Sequence, residues 1–240
     1  LGVFADGRPI VVNGNGVSSQ ADPNLPTLTE YFDYSCHACA DLDAVLGEDL
    51  TTWESEGHYN LELQPVITVN MNYLKPATGA SLVVAQKAPD KWVEFHHALL
   101  AYFRSQFQAG NGTVVQNLDA SWKQVKQIAT EVGVPADVIA TFPVNAVEPY
   151  LEASSNAWKN ASVDGREPNK LGTPELVKDH STLVTLTNDP ESMRAAIKEL
   201  FGFSDSATPL VDPPSAPAAT EPSQSGDGQS QSEGTTTSSN

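Results

Sequence analysis

Both cysteines of the 240-residue chain lie in one tetrapeptide, Cys36-His37-Ala38-Cys39. With two residues between them, the sulfurs can close a disulfide while the first stays open to attack, which suits reversible thiol–disulfide exchange. The tetrapeptide precedes a helical pattern, so we expect Cys36 at a helix N-terminus, where unpaired N–H groups and the helix dipole stabilise a thiolate. A protonated His37 would add to this effect. The sequence therefore predicts a Cys36–Cys39 redox pair in which Cys36 is the reactive thiol.

The same two cysteines could instead form half of a zinc or copper site that a histidine completes. The histidines are scattered, however, and the sequence has no second CxxC and no HxxxH pair to supply further ligands. We therefore predict no metal ligands, and a metal-binding module remains the alternative from a different functional class. At helical spacing His96 falls towards an apolar stripe and His97 on the polar face, so both are predicted to be structural. The histidines of the chain are His37, His58, His96, His97 and His180.

A strand, a helix and a second strand are predicted around the cysteine pair. Residues 27–34 (TLTEYFDY) mix β-branched and aromatic side chains, as buried strands do. Apolar residues then recur at helical spacing as far as Trp53, and Gly57 is a typical helix stop. A further apolar segment at 61–69 predicts the next strand. The cysteines are thus placed where the first strand passes into the helix.

The regions on either side of this unit differ in pattern. Two short apolar runs around Asp6-Gly7 predict a hairpin within residues 3–12. After the second strand, residues from about 80 to 161 have a helical pattern with amphipathic stripes. These helices are predicted at 92–107, 121–132 and 146–161.

The C-terminal part of the folded region predicts two short strands and a last helix. Asp189 is placed to cap this helix, Pro190 fits its first position, and Gly202 follows its end. The strands are predicted at 176–177 and 183–187. The chain then divides into an N-terminal hairpin and lead-in (1–26), a strand–helix–strand half (27–79), a helical insertion (80–165), a second half (166–203) and a tail (204–240).

Acidic residues dominate the charge of the chain. Thirty Asp and Glu residues oppose 13 Lys and Arg residues, for a net charge of -17. Such a surface repels phosphate backbones, so we exclude nonspecific binding to nucleic acids and to anionic membranes. No apolar run approaches the roughly 20 residues of a membrane-spanning helix. Residues 204–240 have no Lys, Arg or aromatic side chain and are predicted to be a disordered acidic tail.

Two motifs of the chain resemble the DsbA-type thioredoxin-fold disulfide oxidoreductases. The motifs are EYFDYSCHAC at 30–39 and LGTPELV at 171–177, and the resemblance covers about residues 27–201. It implies an α/β thioredoxin fold with a helical insertion between the βαβ half and the ββα half. It also implies that Pro174 is a cis-proline beside the disulfide and that Thr173 contacts substrate polypeptide, with Ala38 as a further substrate-binding residue. Glu30 matches an acidic residue that lies beneath the disulfide and assists proton transfer when the second cysteine reacts.

The resemblance also implies a function for the redox pair. We expect an oxidase that needs no cofactor and introduces disulfides into reduced exported proteins. Its expected partner is a membrane quinone-linked reoxidase of the DsbB or vitamin K epoxide reductase type. Disulfide formation requires a compartment that is not kept reducing, so an extracytoplasmic location is expected, and an N-terminal membrane anchor ahead of Leu1 is compatible with it.

The direction of the reaction stays open from the sequence. DsbA-type motifs commonly have Pro and then His between the cysteines, whereas this chain has His37 and then Ala38. Thr173 before the proline also occurs in isomerases and reductases with thioredoxin domains. A thioredoxin-like reductase or disulfide isomerase is therefore the alternative within the same class of enzyme.

Overall fold

One strand, β3 (Thr27–Phe32), lies at the centre of the fold, and every residue of it is buried. The computed structural model describes residues 2–13, 16–18, 20–142, 144–167 and 169–204. The parallel strand β4 (Asn60–Pro65) and the antiparallel strand β5 (Glu175–Lys178) pair with the two edges of β3. The residue that follows β3 is therefore fixed in position by two neighbouring strands.

Within the described residues, six strands form one sheet in the order β2-β1-β4-β3-β5-β6. The outer strands are β1 (Ile10–Asn13), β2 (Gly16–Ser18) and β6 (Thr182–Leu183). β1 pairs antiparallel with both β2 and β4, and β6 pairs antiparallel with β5. The helix α1 (His37–Ser55) connects β3 to β4. Parallel neighbours need such a crossover, so the strand–helix–strand prediction is confirmed.

The helical insertion lies between β4 and β5. Its second helix packs against α1, on the side of the sheet that carries the cysteines. With this insertion, the chain has the predicted order of a βαβ half, a helical segment and a ββα half. The inserted helices are α2 (Leu74–Lys87), α3 (Trp92–Gln108), α4 (Leu118–Glu131), α5 (Ala136–Ile139) and α6 (Val147–Asn160).

The last helix, α7 (Pro190–Phe201), has the predicted capping residues at both ends. The Asp189 carboxylate accepts a hydrogen bond from the Ser192 N–H at 2.9 Å, which satisfies one free donor of the first turn. Gly202 ends the helix at φ 74°, in the left-handed region that glycine adopts at little cost. The prediction of this helix is confirmed.

The N-terminal hairpin lies further along the chain than predicted. A short 3-10 helix (Gly2–Phe4) precedes Asp6-Gly7, and the observed hairpin is formed by β1 and β2. A Cβ atom on Gly7 would lie 2.6 Å from the Ser154 backbone nitrogen of α6. This glycine therefore serves a close approach between two backbones rather than a turn between two strands.

Four further boundaries differ from those predicted. β3 ends at Phe32 and β4 at Pro65, and each predicted strand extends into the loop that follows. β6 ends at Leu183 rather than at residue 187. α2 begins at Leu74, before the predicted start of the insertion at residue 80, and it is buried along most of its length. A helix that is buried on all sides has no amphipathic stripe to mark where it begins.

Core side chains cover both faces of the sheet. Leu28 and Phe32 belong to the larger cluster, which includes residues of α1, α2 and α3. Tyr31 and Val177 pack with Trp158 of α6 on the other face. Because side chains alternate along a strand, Glu30 lies on the same face as Leu28 and Phe32. Glu30 is thus beneath α1, the helix that carries Cys39.

The described residues belong to one compact unit, Leu1–Ser204. The predicted tail lies outside the described residues from position 205 onwards. No helix of the described part of the chain combines the length and the apolar character needed to cross a bilayer.

Candidate active site

Cys36 stands at the N-terminal cap of α1, where the predicted strand-to-helix junction lies. Its backbone is extended (φ -95°, ψ 120°), and its carbonyl accepts the first helical hydrogen bond, from the Ala40 N–H at 3.1 Å. The Cys36 N–H donates to the Asp33 carbonyl at 2.9 Å, which closes the turn between β3 and α1. Both cysteines are free thiols. Cys36 keeps 5% of its surface exposed and Cys39 none, so the first sulfur is the one that a substrate can reach.

The two thiols have opposite electrostatic environments. A hydrogen bond with the Cys39 side chain lowers the pKa of Cys36 to about 6, and the Thr173 side chain and the N–H groups of Cys39 and Ala38 contribute to this shift. Burial, followed by interaction with Cys36, raises the pKa of Cys39 well above its ordinary value. The reduced pair is therefore held as a thiolate on Cys36 and a thiol on Cys39.

The loop before β5 brings Thr173 and Pro174 to the cysteines. The peptide bond between these two residues is cis. The Cys36 Sγ lies 3.4 Å from the Thr173 carbonyl oxygen, to which it donates a hydrogen bond when the thiol is protonated. Both loop residues are half-buried, so part of their backbone can be approached from solvent. The structure thus places two residues that are distant in sequence beside the reactive sulfur.

Glu30 is a buried carboxyl group on the face of the sheet beneath α1. Only 5% of its surface is exposed, and it pairs in register with Leu63 of β4 and Leu176 of β5. Burial, with a smaller contribution from the charge of Asp43 on α1, raises the pKa of Glu30 to about 8. A carboxyl group with this pKa can gain or lose a proton near neutral pH, as a proton-transfer residue must.

His37 and Ala38 lie on the outer side of the tetrapeptide. His37 is exposed and Ala38 is half-buried. The His37 ring stacks on Phe107 of α3, with centroids 4.4 Å apart and planes 6° from parallel. Phe107 itself is 53% exposed. The helical insertion therefore supplies an aromatic contact to the redox motif, which the sequence analysis did not anticipate because the two residues are far apart in the chain.

A cleft of about 410 Å³ opens beside the cysteines. It extends from His37 and Ala38 past Pro174 to Leu186 and Met193, the last of these on α7. Its walls are largely apolar. An extended segment of another polypeptide can therefore lie next to the backbone of the cis-proline loop.

The sequence analysis also missed a polar frame beneath the site. Asp33, Ser35 and Thr68 are joined by hydrogen bonds, and Thr68 contacts Thr173. The sequence does indicate the contact between Asp33 and Ser35, because an Asp side chain commonly accepts a hydrogen bond from the N–H two residues further on. No local signal existed for Thr68, which comes from the loop after β4.

The histidines do not join the cysteines in a candidate metal site within the described residues. The group of metal-ligating side chains that comes together is Asp43, His96 and His97, whose ligand atoms lie within 4.8 Å of one another. His97 Nδ1 lies 2.7 Å from Asp43 Oδ1, which links α3 to α1. Burial lowers the pKa of His96 to about 3, and its Nδ1 lies 2.9 Å from the Tyr34 hydroxyl. His96 is thus buried in the core beside Tyr34, and His97 lies where α3 meets α1.

Solved structures with the same fold are known. No protein-family model matches the sequence, and no curated protein is similar enough to match it. MdbA, a thiol-disulfide oxidoreductase from Actinomyces oris, is 23% identical with a TM-score of 0.63, and the match covers 82% of this chain and 88% of MdbA. Reduced DsbA from Mycobacterium tuberculosis is 18% identical with a TM-score of 0.54, over 81% of this chain and 93% of DsbA. Reduced DsbG, a disulfide bond oxidoreductase from Mycobacterium tuberculosis, is 20% identical with a TM-score of 0.53, over 84% and 91%.

The fold and the site together define the class of protein. The chain has a thioredoxin fold with a helical insertion of the DsbA type, and this confirms the predicted fold. Within this class it is similar to the MdbA and DsbA structures over most of its described length.

Proposed function

We propose that the protein is a thiol–disulfide oxidoreductase that donates the Cys36–Cys39 disulfide to exported proteins. The observation that carries this proposal is the unequal environment of the two sulfurs. Cys36 stands at a helix N-terminus beside Thr173, and Cys39 is fully enclosed. Because this arrangement stabilises the reduced pair as a Cys36 thiolate, the disulfide form is the better oxidant.

The first step is attack of a substrate thiolate on the Cys36 sulfur of the disulfide. The bond between Cys36 and Cys39 breaks, a mixed disulfide forms between Cys36 and the substrate, and the electron pair leaves on Cys39. Cys39 then takes up a proton, since its buried site favours the neutral thiol. Glu30, on the sheet face beneath α1 and with a pKa of about 8, is the proposed donor of this proton.

The second step releases the oxidised substrate. A second substrate thiolate attacks the substrate sulfur of the mixed disulfide, and Cys36 leaves as a thiolate. Two substrate thiols lose two electrons, which reduce the protein disulfide. One proton stays on Cys39, and the other passes to solvent. A Cys36 pKa of about 6 makes this sulfur a good leaving group at neutral pH.

Polypeptide is the proposed substrate because of what surrounds the reactive sulfur. Pro174 lines the cleft of about 410 Å³, and the adjacent, half-buried Thr173 offers backbone groups there. An extended segment with its cysteine over Cys36 would contact Ala38 on one side and the cis-proline loop on the other. His37 is proposed to tune the thiolate through its position in the motif.

The reaction requires a compartment and a partner. Substrate disulfides persist where thiols are not kept reduced, so the proposed location is outside the cytoplasm. The reduced protein must pass two electrons to an acceptor before it can act again. A membrane quinone-linked reoxidase of the DsbB or vitamin K epoxide reductase type is the proposed acceptor.

Reduction or isomerisation of disulfides is the alternative direction for the same chemistry. A structural neighbour that bears the name DsbG has a TM-score similar to that of DsbA. The low pKa of Cys36 favours oxidation, because a thiolate that is more stable makes a weaker reductant.

A stoichiometric transfer assay tests the function. The oxidised protein is mixed with an equal amount of a peptide that carries two cysteines, and the peptide disulfide is measured by mass spectrometry. We expect most of the peptide to be oxidised, while Cys36→Ser and Cys39→Ser transfer nothing, because neither variant can form the Cys36–Cys39 disulfide that accepts the two electrons. If the oxidised wild-type protein leaves the peptide reduced, while the reduced wild-type protein reduces a peptide that already has its disulfide, the alternative direction is correct.

A further inference from the structure

A buried carboxylate lies at the end of β3, and nothing in the redox chemistry above uses it. Asp33 has none of its surface exposed. Its Oδ1 accepts hydrogen bonds from the Ser35 N–H at 2.7 Å and from the Ser35 hydroxyl at 2.6 Å. Its Oδ2 accepts from the N–H groups of Thr68, Val69 and Asn70 at 3.0, 2.9 and 3.2 Å, and from the Thr68 hydroxyl at 3.3 Å.

All these partners are neutral donors, and three of them are backbone N–H groups of one loop. A buried carboxylate is costly unless hydrogen bonds compensate it. Three successive N–H groups that converge on one oxygen form an anion-binding nest, the backbone arrangement that holds phosphates and other anions elsewhere. Asn70 has φ 59°, so the loop adopts a left-handed residue where the nest ends. The loop after β4 is therefore shaped around the carboxylate of Asp33.

The loop in turn holds the cis-proline segment. Thr68 Oγ1 lies 2.7 Å from Thr173 Oγ1. Either hydroxyl can be the donor in this contact, since each has one proton and can also accept. The Thr173 carbonyl oxygen lies 3.4 Å from Cys36 Sγ. A continuous series of polar contacts thus links Asp33 through Thr68 and Thr173 to the reactive sulfur.

Asp33 also fixes the other side of the motif. Ser35, directly before Cys36, donates to Asp33 and accepts from the Met71 N–H at 3.1 Å. The Cys36 N–H bonds to the Asp33 carbonyl. One residue therefore ties together the turn before the cysteines, the loop after β4 and the loop that contains Pro174.

We propose that Asp33 is a positioning residue that sets the cis-proline loop against Cys36 for exchange with polypeptides. This inference rests on the proposed function and specifies how its substrate is held. A small dithiol needs only the Cys36 sulfur, whereas a polypeptide must also align with the backbone at Thr173. Loss of the Asp33 frame therefore slows exchange with a peptide much more than exchange with a small dithiol.

The test compares rate constants for two substrates of the oxidised protein, a dithiol peptide and dithiothreitol. In Asp33→Asn, an NH2 group replaces one of the oxygens that accept from the loop or from Ser35. We expect about a tenfold to hundredfold slower reaction with the peptide, as small displacements of a reacting group can cause. The reaction with dithiothreitol should change less than about threefold.

A second variant keeps the test valid if Asp33→Asn folds poorly. Thr68 is exposed, and Thr68→Val leaves the three N–H bonds to Asp33 intact while it removes the bridge to Thr173. We expect the same selective loss, about threefold to tenfold for the peptide. The matched control is Glu62→Gln, which alters another buried carboxylate, one that accepts from Thr29 at 3.0 Å and lies 2.7 Å from His180. It should lower stability without changing the ratio of the two rate constants.

The outcomes separate this inference from the proposed function. If the wild-type protein exchanges with both substrates, and Asp33→Asn and Thr68→Val keep the wild-type ratio of rate constants, the positioning role is wrong and the oxidoreductase function stands. If the wild-type protein exchanges with neither substrate, the proposed function fails, and the positioning role fails with it.

Discussion

Each face of the sheet has a buried glutamate, and the two carboxyl groups have opposite surroundings. Glu175 on β5 pairs in register with Tyr31 of β3, and Glu30 directly precedes Tyr31 in this strand. On the face beneath α6, Glu175 forms a buried salt bridge with Arg166 and accepts from Trp158 Nε1 at 3.0 Å. On the face beneath α1, Glu30 faces the negative charge of Asp43, and its pKa rises to about 8.

The difference separates a structural acid from the acid that is proposed to carry a proton. The Arg166 side chain is itself 8% exposed and also donates to the carbonyls of Trp158 and Ala161. The charge of Glu175 is therefore paired with a cation that hydrogen bonds hold in place. Glu30 has burial and a like charge as the main influences on its pKa, and both favour the neutral acid. An acid that stays protonated near neutral pH can give its proton to Cys39 in the adjacent helix.

The largest effect on stability is expected from the salt bridge between Arg166 and Glu175, on the face beneath α6. Arg166→Met removes the cation and leaves the Glu175 carboxylate buried, which should lower the free energy of unfolding by about 3 to 5 kcal/mol. Urea denaturation measures this change. The ultraviolet titration of the Cys36 thiolate should be unchanged, since the pair lies on the other face of the sheet.

The double variant Arg166→Met with Glu175→Gln is the control for this prediction. It should recover part of the lost stability, because no uncompensated charge remains. A loss below about 1 kcal/mol in the single variant would mean that Glu175 is no better compensated than Glu30.

The contribution of Glu30, on the face beneath α1, to the free energy of unfolding should depend on pH. In the folded protein Glu30 has a pKa of about 8 against an ordinary 4.5. A group with a raised folded pKa contributes stability that is complete below pH 4.5 and is lost as pH rises to about 8. Glu30→Gln removes this dependence. The free energy of unfolding of the variant minus that of the wild type should therefore rise by a few kcal/mol from pH 5 to pH 8.

Urea denaturation of both reduced proteins at pH 5 and at pH 8 checks this prediction. The contributions of the cysteines cancel in the difference between variant and wild type. A difference that is constant with pH would show that Glu30 titrates as an ordinary carboxyl group, and the contrast between the two faces would disappear.

The smallest effect is expected when the charge of Asp43 is removed, and it is measured as a change in the pKa of Glu30. Asp43→Asn removes the like charge near Glu30 and should lower the pKa of Glu30 by less than about one unit, because burial is the larger cause. The midpoint is read from the carboxyl ¹³C chemical shift of Glu30. His97→Gln is the matched control, since it alters the partner of Asp43 and leaves the Asp43 charge in place. A fall of the pKa to its ordinary value in Asp43→Asn would mean that charge, not burial, dominates.

Features encoded by neighbouring residues could be predicted from the sequence. The start of α1 at the cysteine motif and the caps of α7 at Asp189 and Gly202 depend on residues within one or two turns. The order of strands and helices followed from periodicity and from the resemblance to a known family. The hairpin was misplaced because Asp6-Gly7 has the composition of a turn, while the contact of Gly7 with α6 is not visible locally.

The frame of the site could not be predicted, because its donors and acceptors come from separate loops. Asp33 was predicted to lie within the strand at 27–34, and its partners at 68–70 belong to the loop after β4. The stack of His37 on Phe107 joins α1 to the helical insertion in the same way. The sequence indicated the residues that are proposed to react, and the fold was needed to find those that are proposed to position them.

The reduction potential of the Cys36–Cys39 pair tests the central claim most directly. The protein is equilibrated with graded mixtures of reduced and oxidised glutathione, and the free thiols are trapped and counted. A Cys36 pKa of about 6 stabilises the reduced form, so we expect a potential between about -180 and -120 mV, in the oxidising range for this motif. A value near -270 mV, roughly that of a thioredoxin-like reductant, would contradict the account.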